Sequence, residues 1–169
     1  CGHTPGRRVI ACEEMVKKIR VAVEARGSDD VLIIARTDAR TAHGLDEALR
    51  RADAYAQAGA DILFVESPES EQEMEKICAR CELPLMANMV EGGRTPLLPA
   101  QKLEQLGYKI AIFPGTGFLA AGSALESVYR TLKRDGSSVN AAVPLYDFTE
   151  FTKLMGFEQV WDFDKRHAD

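Results

Sequence analysis

Hydrophobic and polar positions along this chain follow two different periods. Four short runs are continuously apolar: Val31–Ala35, Ile62–Val65, Leu85–Ala87 and Ile110–Phe113. Each runs into a polar or backbone-special residue, respectively Arg36 (followed by Thr37 and Asp38), Glu66, Asn88 and the sequence Pro114-Gly115-Thr116. Runs of this length, β-branched and bounded by turn residues, predict buried strands of a parallel sheet. Four such strands with polar ends imply one site assembled along one rim of that sheet.

Between the runs, apolar residues recur at helical spacing. Ile10–Arg26 puts Met15, Val16, Ile19 and Val23 on one face, with Gly27 as its stop. Leu45–Ala58 puts Leu45, Leu49, Ala52 and Ala56 on one face and ends at Gly59. Ser70 with Glu73 three residues later is a capping box for a helix reaching Arg80. Pro99 opens a helix that Gly107 ends, after a loop of Met89–Leu98 containing Gly92, Gly93 and Pro96. A last helix of the repeat, about Phe118–Arg134, is expected to bury Leu119, Leu125, Val128, Tyr129 and Leu132. Beyond the linker Ser137–Pro144 an amphipathic tail carries Phe148, Phe151, Leu154, Met155, Phe157 and Trp161, too apolar to stand in water. We expect it to pack on its own barrel or on another subunit. The organisation predicted is therefore residues 1–134 as the strand–helix repeat and 135–169 as a helical extension.

Strand–helix alternation predicts an α/β fold with right-handed crossovers. The strand ends at 36, 66, 88 and 114 lie 30, 22 and 26 residues apart. These are steps of one βα unit of a (β/α)8 barrel, whose full length is about 250 residues. Four units would make half a barrel, but a small flavodoxin-like sheet fits the same four strands.

Composition narrows the function. With 46% hydrophobic and 28% charged residues the chain reads as an ordinary globular protein. Its formal charge of −5, without a basic run, argues against nucleic acid and anionic membrane as partners. No apolar segment reaches the roughly 20 residues that span a bilayer. Cys1, Cys12, Cys78 and Cys81 are spaced too irregularly for a disulfide framework, so a reducing, cytoplasmic compartment is expected. The chain opens on Cys1 and not on Met, and we expect a further N-terminal portion, in which any targeting signal would lie.

The candidate chemistry sits at the strand ends. Arg36 closing a buried run needs a carboxylate, either an internal one (Asp38 or Glu66) or a ligand's. Glu66 suits a general base, a ligand orienter or the partner of Arg36, and Asn88 offers both a donor and an acceptor. Gly115-Thr116-Gly117 before a helix can present N–H groups to an anion, or is simply a tight turn. Cys78-x-x-Cys81 lacks the second pair a zinc site needs and reads as buried thiols. Cys1-Gly2-His3 is the most reactive-looking loop, because a neighbouring histidine can tune a thiol. His43 and His167 are expected to face solvent. No lysine closes a strand, which disfavours a Schiff-base aldolase.

Cys1-Gly2-His3, Ile34-Ala35-Arg36-Thr37-Asp38, Gly59-Ala60-Asp61 leading to Glu66, Pro84-Leu85-Met86-Ala87-Asn88-Met89 and Leu106-Gly107-Tyr108 occur in this order over Cys1–Arg134. This set resembles the isocitrate lyase and phosphoenolpyruvate mutase superfamily, and Cys-Gly-His resembles its lyase branch, with its methylisocitrate and 2,3-dimethylmalate lyases. The resemblance implies strands 5–8 of a (β/α)8 TIM barrel followed by C-terminal helices. It also implies Mg²⁺ dependence and cleavage of a C–C bond in a 2-hydroxy di- or tricarboxylate, giving an oxo acid and a carboxylate. By the same resemblance Cys1 is the general acid, and Gly2 and His3 shape its loop and bind substrate. Arg36 clamps the oxo-acid carboxylate, Glu66 orients a hydroxyl or water, and Asn88 holds the departing carboxylate. Thr116, from the Gly115-Thr116-Gly117 loop, is a further substrate-binding candidate. The family's metal ligands sit on earlier strands, so no metal ligand is expected in this chain. Homo-oligomers, dimers of dimers that exchange their last helix, are implied as well. Two other readings are an oxaloacetate hydrolase or decarboxylase of the same superfamily and, if the chain were complete, a non-catalytic half-barrel binding module.

Overall fold

All four expected strands form in the computed structural model, which describes Gly6 and residues 8–168, and the first and last are shorter than their apolar runs. They are β1 (Ile34–Thr37), β2 (Ile62–Val65), β3 (Met86–Asn88) and β4 (Ile110–Ile112). β1 pairs parallel with β2, Ile34 beside Ile62, and β3 pairs parallel with β4, Met86 beside Ile110. A parallel bridge between Leu63 and Leu85 joins the two pairs. Spatial order thus follows chain order. A doubly wound, flavodoxin-like sheet must reverse its order at a switch point, so that alternative is set aside.

The helices are α1 (Cys12–Arg26), α2 (Ala39–His43), α3 (Leu45–Gln57), α4 (Glu71–Arg80), α5 (Ala100–Leu106), α6 (Thr116–Asp135), α7 (Phe148–Leu154) and α8 (Phe157–His167). One sheet face, with Ala35, Leu63, Val65, Leu85 and Ala87, packs against Ile19 of α1, Tyr55 of α3, Met74 and Ile77 of α4 and Leu103 of α5. The opposite face carries a separate cluster of Ile62, Phe64 and Met86, flanked by Ile110 and Ile112. Gly59 turns the chain from α3 toward β2 at φ +103, where a Cβ would stand 2.9 Å from Cγ2 of Val23. Its lack of a side chain lets α1 approach that turn.

Several expectations need correction. Val31 and Leu32 are exposed and precede β1, and the Val31 N–H turns back to the Asp29 carbonyl. Ile34 is exposed too, as β1 alternates instead of being buried on both faces. The buried stripe of α3 is Ala48, Arg51, Ala52 and Tyr55, rotated from the apolar one predicted. Arg51 can be buried because it donates to Glu47 at 2.7 Å and to the Ile10 carbonyl at 2.8 Å. In α6, Leu119, Leu125, Tyr129 and Leu132 are exposed, and Thr131 is the residue that is buried.

The chain divides into two compact units, one ending at Gly117 and the other starting at Phe118. In the second, Asp147 caps α7 by accepting from the Glu150 N–H at 3.0 Å, and Gly156, left-handed at φ +80, separates α7 from α8. Phe148, Phe151, Leu154, Met155, Phe157 and Trp161 are all exposed on it. Among the described residues no helix is long and apolar enough to cross a membrane.

Candidate active site

Strand register brings three of the predicted residues, Arg36, Glu66 and Asn88, together. Arg36 lies opposite Phe64, and the guanidinium carbon stands 5.0 Å from the centre of that ring. One step on, the Glu66 N–H donates to the Thr37 carbonyl at 3.0 Å, which places the carboxylate beside the end of β1. Asn88 is the last residue of β3, and its Nδ2 donates to both oxygens of Glu66, at 3.3 and 3.2 Å. The Ser67 hydroxyl donates to Oε1 of Glu66 at 3.2 Å.

Arg36 makes both of the ion pairs its position allowed. Nη2 is 3.0 Å from Oε2 of Glu66, and Nε is 2.7 Å from Oδ1 of Asp38. The Glu66 residue is 1% exposed, while the Arg36 side chain keeps 39% of its surface. Among the described residues Nη1 of Arg36 makes no hydrogen bond. The guanidinium is thus fixed on its carboxylate side and retains donors for an incoming anion. Burial opposes the Arg36 charge, but the Asp38 hydrogen bond and the fields of Glu66 and Asp38 outweigh it and raise its pKa. Oδ1 of Asn88 is buried without a hydrogen-bond partner among the described residues, an acceptor left over after Nδ2 has bound Glu66.

Ser67 supports this geometry at a cost. Its φ of 59 is the left-handed region, and it is the one non-glycine residue with positive φ among those described. Such a backbone costs on the order of 1–3 kcal/mol and is held only by its surroundings. Beside the cluster, Arg8, Val9, Met15, Arg36, Asp38 and Tyr55 line a cavity of about 220 Å³.

Thr116 is bonded elsewhere. As the first residue of α6 it donates its hydroxyl to Glu91, and it has no bond to Arg36, Glu66 or Asn88. Cys1, Gly2 and His3 lie outside the described residues. His43 and His167 are exposed, as expected. Cys78 and Cys81 are half-buried, not fully buried, and burial pushes both thiols up to about 11. Few of their molecules are thiolate at pH 8, so alkylation mapped by mass spectrometry should label both slowly and accelerate on denaturation. Rapid native labelling of either would contradict that environment.

The sequence reading missed Arg40. It lies on α2, a single helical turn between β1 and α3. Its fork meets Glu73 at 2.9 and 2.6 Å, and Nη1 meets Glu69 at 2.6 Å. Glu69 also faces Arg94 at 3.6 Å. The capping box pointed to Glu73 in advance. Ser70 accepts from the Glu73 N–H at 3.2 Å as predicted, while the Glu73 carboxylate accepts from the Glu69 N–H and pairs with Arg40. Among the described residues no group of three His, Cys, Asp or Glu side chains is placed to hold a metal ion. Glu66 is turned to Arg36, Asn88 and Ser67, which does not fit it as a direct metal ligand.

This arrangement occurs in a chain similar to several known proteins. The family model described as phosphoenolpyruvate phosphomutase matches residues 2–133. 2,3-Dimethylmalate lyase of Eubacterium barkeri is 46% identical over 168 residues, 99% of this chain and 58% of that protein. 2-Methylisocitrate lyase of Aeropyrum pernix is 44% identical over 169 residues, 100% of this chain and 53% of that protein. A crystal structure of 2,3-dimethylmalate lyase superposes with a TM-score of 0.90 at 31% identity, covering 99% of this chain and 56% of the other. Oxaloacetate acetylhydrolase in complex with 3,3-difluorooxalacetate gives 0.89 at 28% identity, over 98% and 56%. The chain spans about half the length of the curated relatives it matches. With that family model running over most of its residues, the chain belongs to the phosphoenolpyruvate mutase/isocitrate lyase superfamily.

Proposed function

We propose that this chain is part of a carbon–carbon lyase that cleaves a 2-hydroxy di- or tricarboxylate, of the 2-alkylmalate or methylisocitrate type, into an oxo acid and a carboxylate. The observation that carries the reading is the Arg36–Glu66–Asn88 cluster at three consecutive strand ends. Arg36 binds the carboxylate next to the carbon that becomes the carbonyl, using the donors it does not spend on Asp38 and Glu66. Glu66, acceptor-only while ionised, orients a substrate hydroxyl and accepts its proton, directly or through a water, as the C–C bond breaks and the carbonyl forms, and Asn88 holds the departing carboxylate. Cys1 delivers the proton that quenches the carbanion left on that carboxylate, in a loop shaped by Gly2 and His3.

The whole protein, in this reading, is a Mg²⁺-dependent (β/α)8 barrel of which this chain supplies strands 5–8. Exposed Leu32 and Ile34 at the β1 edge, and the likeness to proteins nearly twice as long, support that assignment. The described residues do not form a Mg²⁺ site, and the ion is assigned to carboxylates outside this chain. We further assign residues 1–134 to the barrel and 135–169 to a helical extension that exchanges between subunits of a homotetramer. The apolar residues exposed on α7 and α8 support the exchange. Cysteines without a disulfide pattern support a cytoplasmic location.

The test is oxo-acid release, with Mg²⁺ present, by the full-length protein that carries this chain. Substrates are a series of 2-alkylmalates, methylisocitrate and isocitrate, with oxaloacetate in parallel. Oxo acid from one of the first group, lost on Cys1→Ser, supports the lyase. Turnover of oxaloacetate alone favours the hydrolase, a second reading motivated by the likeness to oxaloacetate acetylhydrolase. No turnover of any, or full turnover after Cys1→Ser, overturns the mechanism.

A further inference from the structure

We propose that Arg40 is a positioning residue for Glu66, acting through the loop that leads from β2 into α4; this rests on the catalytic reading of Glu66 above. The Glu66 carboxylate depends on the next residue in the chain. Ser67 supplies a hydrogen bond to its Oε1 and does so from a left-handed backbone that a serine adopts only under constraint.

The constraint is visible at the far end of the same short loop. Nη1 of Arg40 holds Glu69 at 2.6 Å, and Nε and Nη2 hold Glu73 at 2.9 and 2.6 Å. Glu73 in turn accepts from the Glu69 N–H at 2.9 Å, and Ser70 caps the first turn of α4. Residues 69 and 70 are therefore tied to α4 and, through one guanidinium, to α2. α2 begins at Ala39, directly after the Asp38 that binds Arg36. One planar fork thus fixes the loop behind Glu66 relative to the strand end that presents Arg36.

This is not an ordinary surface ion pair. The Arg40 and Glu73 side chains are 17% and 20% exposed, and the contact is bidentate, a geometry that resists solvent screening. Arg40 side-chain bonding holds the Glu73 carboxyl below its ordinary range, so the pair is ionised at neutral pH. Lysine can meet these acceptors only as a point charge, without the fork.

The consequence is specific. Without the clamp Ser67 relaxes and the Glu66 carboxylate turns, whereas Arg36 keeps Asp38 and its capacity to bind a carboxylate. Turnover falls and substrate binding does not.

The experiment uses the full-length protein with Arg40→Met, Arg40→Lys and, as a control destabilised elsewhere in the core, Leu103→Ala. Kinetics are read on the substrate that the wild type turns over, and backbone amide exchange is read at Ser67, Glu69 and Ser70. Arg40→Met should lower kcat about tenfold with KM held within about twofold, and Arg40→Lys should recover part of the loss. Exchange at those three amides should rise in Arg40→Met and not in Leu103→Ala. Unchanged kcat in Arg40→Met overturns the proposal, and so does an equal kcat loss in a Leu103→Ala protein of matched melting temperature. Should the wild type release no oxo acid, the proposed function fails by itself. Exchange at the three amides then decides the clamp, and an unaltered pattern in Arg40→Met refutes it.

Discussion

Replacing Arg36 with methionine should lower kcat/KM of the full-length protein by about a thousandfold or more, the largest effect expected of any described side chain. Two losses combine. A cation that would bind the substrate carboxylate disappears, and such preorganised charge contributes heavily in a partly dry site. The Glu66 carboxylate, 1% exposed, also loses the guanidinium 3.0 Å away, although Ser67 and Asn88 still donate to it. Breaking a fully buried pair costs about 3–5 kcal/mol. Because the Arg36 side chain is 39% exposed, about 2 kcal/mol of lost stability is the appropriate expectation. Arg36→Lys should retain the charge and part of the stability but little activity, since the bidentate geometry goes with the fork. Steady-state kinetics and denaturant melts check both arms. An Arg36→Met enzyme with near-normal turnover would remove Arg36 from the site.

The second large effect lies in the core. Ile77 on α4 is 0% exposed and sits in the cluster that joins the helices to the sheet. Ile77→Ala leaves a cavity that neighbouring elements, held by β2 and β3, can only partly fill. The expected cost is about 3–4 kcal/mol, a large share of the roughly 5–15 kcal/mol that a domain has in total. It should appear as a lower urea midpoint with an unchanged slope. A loss under about 1 kcal/mol would show that α4 repacks freely, against the tight packing of its buried face on the sheet.

The site was more legible in the sequence than the surfaces were. Arg36, Glu66 and Asn88 stood out because a charge or amide at the end of an apolar run must be paired or used, and the register joins the three. The Ser70–Glu73 cap was readable for the same local reason. Burial was harder. Val31, Leu32 and Ile34 look like core but are exposed on a strand that pairs only with β2 among the described residues. Arg51 looks like surface yet is buried, because a carbonyl 41 residues away accepts from it. Arg40 was hidden by its setting. One turn of helix has no periodicity to detect, and its partners Glu69 and Glu73 lie about 30 residues on. Thr116 was placed by its glycine neighbours, but its hydroxyl was taken by Glu91, a carboxylate 25 residues earlier that local spacing does not connect to it.

The central claim is that the cluster at the strand ends serves carbon–carbon bond cleavage. Its most direct test is product stoichiometry: NMR of the full-length protein incubated with Mg²⁺ and the substrate it accepts from the 2-alkylmalate and methylisocitrate series. We predict one oxo acid and one carboxylate per substrate consumed, in equal amounts, with both lost in Arg36→Met. Unequal products, carbon dioxide in place of the second carboxylate, or undiminished cleavage by Arg36→Met would contradict it.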